Sequence, residues 1–218
     1  MASRHRILVE GKDDQNVIRN LLREHGIAAK ILEPHGRRSI LDAIAIERTE
    51  GIEVLLEDLV TELRQSDQEC VGIVVDANTD LAARWQAVRS RLKRAGAVDV
   101  PAEPDPSGTV LTVRQPEREL KVGVWLMPDN QLSGMLEDFI ASLTPEGDEL
   151  LDYAQQCIVG LPQRPFGDAE SKALIHTWLA WQEEPGKPLG LAITFHYLDT
   201  RSPYALKFVS WVQRLFGV

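Results

Sequence analysis

The chain has 218 residues, which is enough for one large domain or for one domain with an extension. Its hydrophobic content of 44% and charged content of 26% exclude a disordered, collagen-like or coiled-coil protein. With 24 Lys and Arg against 33 Asp and Glu, the net charge is −9, which argues against a protein that coats nucleic acid through its cations. Acidic proteins still act on nucleic acid where carboxylates hold metal ions.

The sequence predicts a cytoplasmic protein that makes no contact with a membrane. Its two cysteines, Cys70 and Cys157, are too far apart in the chain for a local metal-binding knuckle and are expected to be reduced thiols. The N-terminus enters an apolar stretch without the features of a secretory signal. No apolar run approaches the ~18 residues that a membrane-spanning helix needs.

The first part of the chain predicts strands that alternate with amphipathic helices. This alternation is typical of a mainly parallel sheet covered by helices. Residues 70–75 are the clearest strand, because their unbroken apolar run is typical of a strand buried on both faces. The predicted elements are strand 6–9, helix 13–25, strand 29–33, a helix that begins at Ser39 and contains Ile40, Leu41 and Ile44, helix 52–65, and strand 70–75.

The second part predicts one more strand and several helices. Four of the twelve prolines lie in residues 97–120, which predicts an irregular segment with a short hairpin around 106–108. The predicted elements are helix 81–95, strand 122–127, a helix that begins at Ser133 and reaches Leu143, and helices 146–159, 168–183 and 204–216. We therefore predict an α/β domain over residues 1–145 with a four-stranded, mainly parallel sheet, and a helical C-terminal extension, 146–218, packed on the same domain.

Acidic residues follow three of the four predicted strands. Glu10 follows the first, Asp76 and Asp80 the third, and Asp129 the fourth. The carboxyl ends of parallel strands share one edge of the sheet, where ligands bind, and carboxylate oxygens suit Mg²⁺ or Mn²⁺. We expect Glu10, Asp76 and Asn78 to hold such an ion, with Asp80 supporting it. The alternative is that each acid makes a turn or caps a helix.

Further charged residues have two interpretations each. Glu137 and Asp138 are secondary acidic candidates, although the first turn of a helix favours acids whatever their function. Lys12, Arg37 and Arg38 lie near the predicted edge and are candidates for phosphate contacts, although solvated loop positions explain them equally well.

Two segments resemble the motifs of the Toprim domain. Residues 7–14, ILVEGKDD, resemble its opening strand and glutamate, and residues 74–80, VVDANTD, resemble its Asp-x-Asp motif. Segments 127–130, 134–138 and 172–181 are similar to an uncharacterised bacterial family of standalone Toprim-like proteins close to the OLD-type (overcoming lysogenization defect) nucleases. The resemblance covers nearly the whole chain and implies a four-stranded, Rossmann-like Toprim sheet.

The resemblance also implies metal-dependent cleavage of a phosphodiester. Glu10 matches the Toprim glutamate and Asp76 the first aspartate, but Asn78 stands in the position of the second. This departure removes one negative charge, which Asp80 is placed to restore, and it leaves the number of metal ions open. OLD-type sites use a lysine to stabilise the transition state, and Lys172 is the candidate here. The alternative is that Lys172 only borders the apolar face of its helix.

Two functions of different classes therefore remain. The first is a Toprim- or OLD-like nuclease, or a related phosphodiester-processing protein, that depends on Mg²⁺ or Mn²⁺ and acts in phage defence or DNA repair; DNA is favoured over RNA as its substrate, and the choice between them stays open. The chain lacks the glycine-rich phosphate loops of ATPases, so a separate ATPase partner is expected, as for OLD-type nucleases. The second is a catalytically silent Toprim-fold module that binds a partner protein or a nucleotide. The oligomeric state stays open.

Overall fold

The structure is a computed structural model that describes residues 5–32 and 43–218. The predicted phosphate-contact candidates Arg37 and Arg38, and the predicted helix cap Ser39, lie outside the described residues.

A six-stranded sheet forms the centre of the described protein. The strand order is β2-β3-β1-β4-β6-β5, and every neighbouring pair is parallel except β5 with β6. The sheet is mostly parallel, as predicted, but it has six strands instead of four. The strands are β1 (His5–Val9), β2 (Ala29–Leu32), β3 (Ile44–Arg48), β4 (Cys70–Asp76), β5 (Thr109–Arg114) and β6 (Glu119–Met127).

Helices cover both faces of this sheet. Residues 70–75 of β4 are an unbroken apolar run, because this part of the strand is buried on both faces: Ile73 packs with α2 and α3, whereas Val74 packs with α1 and α8. The helices of the described residues are α1 (Lys12–Glu24), α2 (Ile52–Gln65), α3 (Leu81–Ala95), α4 (Leu136–Ala141), α5 (Glu149–Val159), α6 (Glu170–Ala180), α7 (Leu189–Thr194) and α8 (Pro203–Phe216). None of them is long and apolar enough to cross a membrane.

The last helix, α8, lies directly on the central strands. Gly72 in β4 and Gly123 in β6 make this close approach feasible, because neither carries a side chain. A Cβ atom added to Gly123 would lie 2.5 Å from Cδ2 of Leu215 and 3.0 Å from Cζ2 of Trp211. The predicted C-terminal extension therefore supplies one of the layers that bury the sheet.

Ile44 is the first residue of strand β3, so the prediction of a helix that contains Ile44 was wrong at this residue. The strand β3 is inserted between β1 and β2, and Ile44, Ala45 and Ile46 are all buried. Three consecutive buried residues suit a strand with helices on both sides, whereas a helix would bury only one stripe.

The segment predicted to be irregular contains the edge strand β5. Its buried residues alternate with more exposed ones, and Thr109, Leu111 and Val113 face the core. The turn that joins β5 to β6 closes where Gln115 N donates to Arg118 O at 2.9 Å, so the hairpin predicted around 106–108 is instead at 115–118. The strand was not predicted because the prolines before it indicated a loop, although apolar residues alternate with polar or exposed ones along β5.

Two smaller features of the C-terminal half also differ from the prediction. The N-cap of α4 is Met135 and not Ser133, whose hydroxyl oxygen accepts a hydrogen bond from Leu81 N at 3.2 Å. The short helix α7 was not predicted. It packs against α1, where Asn20 Nδ2 donates to Gly190 O at 2.6 Å.

Candidate carboxylate site

Glu10 and Asp76 are joined at the carboxyl edge of the sheet. The strands β1 and β4 are parallel neighbours with Val9 beside Val74, so their ends emerge together. Glu10 Oε1 accepts a hydrogen bond from Asp76 N at 2.7 Å, and both residues are partly exposed. The structure therefore brings together two residues that the sequence placed in one metal site.

A second hydrogen bond ties Asp76 to the start of α4. Its Oδ1 atom accepts from Leu136 N at 2.9 Å. The next residue of α4, Glu137, is buried and forms an ion pair with Lys172, whose Nζ lies 3.6 Å from Oε1 of Glu137. The Lys172 side chain is 56% exposed. The predicted lysine thus reaches this edge of the sheet from α6 without being enclosed.

Asp14 was not a predicted site residue, but its charge acts on the groups at this edge of the sheet. It is buried in the first turn of α1, where its Oδ2 atom accepts from Gly11 N at 3.0 Å. A side chain at Gly11 would crowd it, since an added Cβ would lie 3.3 Å from Oδ2. Asp14 is the last residue of the motif 7–14, but the sequence of this motif does not indicate that its carboxylate is buried. The burial becomes visible only in the folded turn between β1 and α1.

The carboxylate site is defined here as Glu10, Asp14, Asp76 and Glu137, because their charges act on one another. Burial, followed by the charges of Asp14 and Glu10, raises the pKa of Asp76 to about 8. Burial, followed by the charge of Glu10, raises the pKa of Asp14 to about 7. Glu137 adds repulsion to both. At neutral pH Asp76, and in part Asp14, therefore retain protons that a bound cation would displace.

The pKa of Glu10 is also raised, and burial is the main cause. Two interactions oppose the effect of burial: the hydrogen bond from Asp76 N and, more weakly, the positive charge of Arg84. Arg84 was not a predicted site residue.

The donor atoms of the carboxylate site suit a hard divalent cation. Glu10 Oε1 and Asp76 Oδ1 already accept backbone hydrogen bonds, and among the described residues nothing is bonded to the second oxygen of either group. Burial and mutual repulsion disfavour the negatively charged form of these carboxyl groups, which is why their pKa values are raised. A bound Mg²⁺ or Mn²⁺ would stabilise that charged form. Within residues 5–32 and 43–218, no three His, Cys, Asp or Glu side chains already stand in a metal-ligating arrangement, so binding would require them to reorient.

Asn78 and Asp80 serve the loop between β4 and α3. Asn78 has a φ of 54°, a left-handed conformation that Asn tolerates better than most residues, and its backbone N donates to Gly134 O at 2.7 Å. Asp80 is exposed and caps α3, because its Oδ1 accepts from Ala83 N at 2.8 Å. The structure does not bring the Asp80 carboxylate into the carboxylate site.

The two remaining acidic candidates have local hydrogen-bond partners. Asp129 is buried in the turn after β6, where its Oδ1 accepts from the backbone N atoms of Gln131 and Leu132 at 3.0 and 2.9 Å. Asp138 accepts from Met135 N at 2.7 Å and from the Ser171 hydroxyl. Asp129 and Asp138 therefore stabilise their turns. Lys12, a predicted phosphate-contact candidate, is exposed at the start of α1.

The comparisons with known proteins assign a family but no activity. A family described as "Protein of unknown function (DUF3226)" matches residues 4–217. The chain belongs to the DUF3226 family. Neither the curated proteins nor the solved structures gave a match. The DUF3226 match spans β1 to α8, so the predicted C-terminal extension is part of the family's common unit. The match itself assigns neither a Toprim domain nor an OLD-type nuclease.

Proposed function

We propose that this DUF3226 protein is a divalent-metal-dependent nuclease that hydrolyses phosphodiesters at the carboxylate site, with DNA as the preferred substrate over RNA. The observation that carries the proposal is the hydrogen bond of Glu10 to Asp76 N across two neighbouring parallel strands. Two further buried carboxylates lie close enough to raise the pKa of Asp76. Such a concentration of negative charge at the ligand-binding edge of a sheet favours a metal ion as the missing partner.

Mg²⁺ or Mn²⁺ would be held by Glu10 and Asp76, with Asp14 and Glu137 adjacent. When bound, the ion supplies Lewis acidity toward the phosphate and lowers the pKa of a coordinated water. Glu10 has one oxygen without a described partner, which is available to take the proton of the attacking water. Lys172 reaches the site beside Glu137 and is the group that we assign to the charge of the transition state.

The Toprim and OLD-type relationship is part of this proposal. It is supported by the positions of Glu10, which follows β1, and Asp76, which ends the neighbouring parallel strand β4, as the two Toprim motifs require. Asn78 uses its backbone to hold the loop, and Asp80 caps a helix, so the second aspartate of the Toprim motif has no charged counterpart in the carboxylate site. We therefore propose one metal ion per site. A role in phage defence or DNA repair and a separate ATPase partner follow from the same relationship.

The second candidate is a catalytically silent Toprim-fold module that binds a partner protein or a nucleotide. The neutral Asn78 and the pairing of Lys172 with Glu137 favour it. An exposed apolar patch around Trp178, Trp211 or Phe216 would favour a module that binds a partner protein, but all three residues are buried. The first candidate therefore has the stronger support.

Nicking of plasmid DNA by the purified full-length chain tests the proposal. We expect conversion of supercoiled to open-circular DNA with Mn²⁺ or Mg²⁺, its loss with EDTA, and its loss in Glu10→Gln and Asp76→Asn. Both substitutions keep an oxygen that can accept the observed backbone hydrogen bond. Glu57→Gln is the matched control, because Glu57 is exposed on α2. Wild-type protein that binds no Mn²⁺ and cuts neither DNA nor RNA would refute the proposal.

A further inference from the structure

Arg84 lies in the first turn of α3, close to the carboxylate site. Helix α3 begins at Leu81, five residues after Asp76, so its N-terminal turn lies at the same edge of the sheet. The backbone N of Arg84 donates to Asp80 O at 3.0 Å, which places the residue within the helix. Its side chain is partly buried.

The guanidinium of Arg84 has no partner among residues 5–32 and 43–218. Its Nε atom is buried and donates no hydrogen bond, and no carboxylate in these ranges forms an ion pair with it. A buried donor without an acceptor costs stability. Nevertheless the Arg84 charge acts on Glu10, where it opposes the effect of burial on the pKa. Arg84 is therefore near the carboxylates without being neutralised by them.

Other arginines of α3 are used differently. Arg89 Nε donates to Pro101 O at 2.8 Å, and Arg91 Nε donates to Leu56 O at 3.0 Å. These contacts fix the helix to its surroundings. By contrast, Arg84 makes no side-chain contact of this kind with any described residue, so no contact within residues 5–32 and 43–218 explains its guanidinium.

We propose that Arg84 binds a phosphate group of the nucleic-acid substrate beside the carboxylate site. The proposal rests on the proposed nuclease function and names a substrate contact of the same site. A guanidinium presents paired N–H donors in a fork that matches two oxygens of one phosphate, and such charge-assisted bonds are about twice as strong as neutral ones. Bound phosphate would give the buried Nε an acceptor that no described residue supplies. Lys172 differs from Arg84 in that its charge is already paired with Glu137.

The test measures binding of a fluorescein-labelled DNA duplex to the full-length chain, with Ca²⁺ replacing Mg²⁺ to suppress cleavage. Wild type, Arg84→Gln and Arg84→Lys are compared at several salt concentrations. The matched control is Arg94→Gln, which removes the same charge from an exposed position at the other end of α3. Thermal unfolding of each variant monitors folding.

We expect Arg84→Gln to weaken binding about tenfold and to reduce the slope of log K against log salt by about 0.9, the value for one phosphate contact. Arg84→Lys should restore the slope but only part of the affinity, because an ammonium lacks the fork. Arg94→Gln should behave as wild type. Wild-type affinity and slope in Arg84→Gln, or a wild-type chain that binds no duplex, would overturn the proposal.

Mn²⁺ binding and plasmid nicking, measured in parallel, separate this inference from the nuclease proposal. If wild type binds the duplex through Arg84 but neither binds Mn²⁺ nor nicks DNA, the nuclease proposal fails and the Arg84 contact stands. If wild type nicks DNA and Arg84→Gln nicks and binds as well as wild type, the Arg84 contact fails and the nuclease proposal stands.

Discussion

Replacing Asp14 with Asn tests whether the buried charge of Asp14 lowers stability near neutral pH. The substitution keeps a side-chain oxygen that can accept from Gly11 N, as Asp14 Oδ2 does at 3.0 Å, and it removes one negative charge. The folded-state pKa of Asp14 is raised by burial and by Glu10 to about 7, from an ordinary value of 3.8. Folding therefore favours the protonated form of this carboxyl.

The direction of the pH effect follows from this difference. Between the unfolded and the folded pKa of Asp14, the folded state holds a proton that the unfolded state has lost, so the free energy of unfolding falls as pH rises. One proton corresponds to about 1.4 kcal/mol per pH unit. From pH 5.5 to pH 7, wild type should lose about 2 kcal/mol through this group, and Asp14→Asn should not.

Urea denaturation followed by circular dichroism at pH 5.5, 6, 6.5, 7 and 8, with EDTA present, measures this effect. We expect the stability advantage of Asp14→Asn over wild type to widen by about 2 kcal/mol between pH 5.5 and 7 and to level off near pH 8. Asp58→Asn, at an exposed position on α2, is the matched control and should show no such change. A constant difference across this range, or an Asp14→Asn chain that is less stable at pH 8, would refute the reasoning.

Three further predictions concern metal binding, capping and packing. Mn²⁺ at about 100 times its Kd should stabilise wild type by about 2.7 kcal/mol at pH 8, seen as a rise in Tm, whereas Asp76→Asn should show no rise. Asp80→Ala should lower the free energy of unfolding by about 1 kcal/mol, because the α3 cap is lost, and should leave the Mn²⁺ affinity unchanged. A large loss of Mn²⁺ affinity in calorimetry would instead show that Asp80 is a metal ligand. Gly123→Ala should destabilise by about 1–3 kcal/mol in urea denaturation, because its Cβ would meet Leu215 and Trp211, and unchanged stability would contradict the tight packing of α8.

The elements that the sequence predicted most accurately are those with strong local signals. Helices 52–65 and 81–95 match the observed bounds of α2 and α3. Asp80 accepts a hydrogen bond at the start of α3, and Gly96 ends it with a φ of 102°. Residues 70–75 lie within β4, as predicted, because an unbroken apolar run suits a central strand that helices cover on both faces.

The strands that escaped prediction depend on partners distant in the chain. The strand β3 is inserted between β1 and β2, and β5 is an edge strand whose residues alternate against β6. Neither arrangement is encoded in a local turn or cap. An apolar run as short as Ile44 to Ile46 fits a helix as well as a strand until its neighbours are known.

The carboxylate site was predictable only in part, for the same reason. The rule that parallel strands end at one edge placed Glu10 beside Asp76. It could not separate a carboxylate that faces this edge from one that caps a helix, as Asp80 does. Asp14 and Glu137 join the site through the turn after β1 and the hydrogen bond between Asp76 and Leu136, which no spacing along the chain reveals.

The chemistry of the carboxylate site indicates what these acids are for. The hydrogen bonds that Glu10, Asp14 and Asp76 accept from backbone N–H groups could equally be made by Gln or Asn. The fold therefore needs their oxygens but not their negative charges, and burying those charges together lowers stability at neutral pH. A bound divalent cation would turn this repulsion into attraction. The same cation would reverse the local field of a chain whose net charge is −9 and allow a phosphate to approach the carboxylates, with Arg84 and Lys172 beside them.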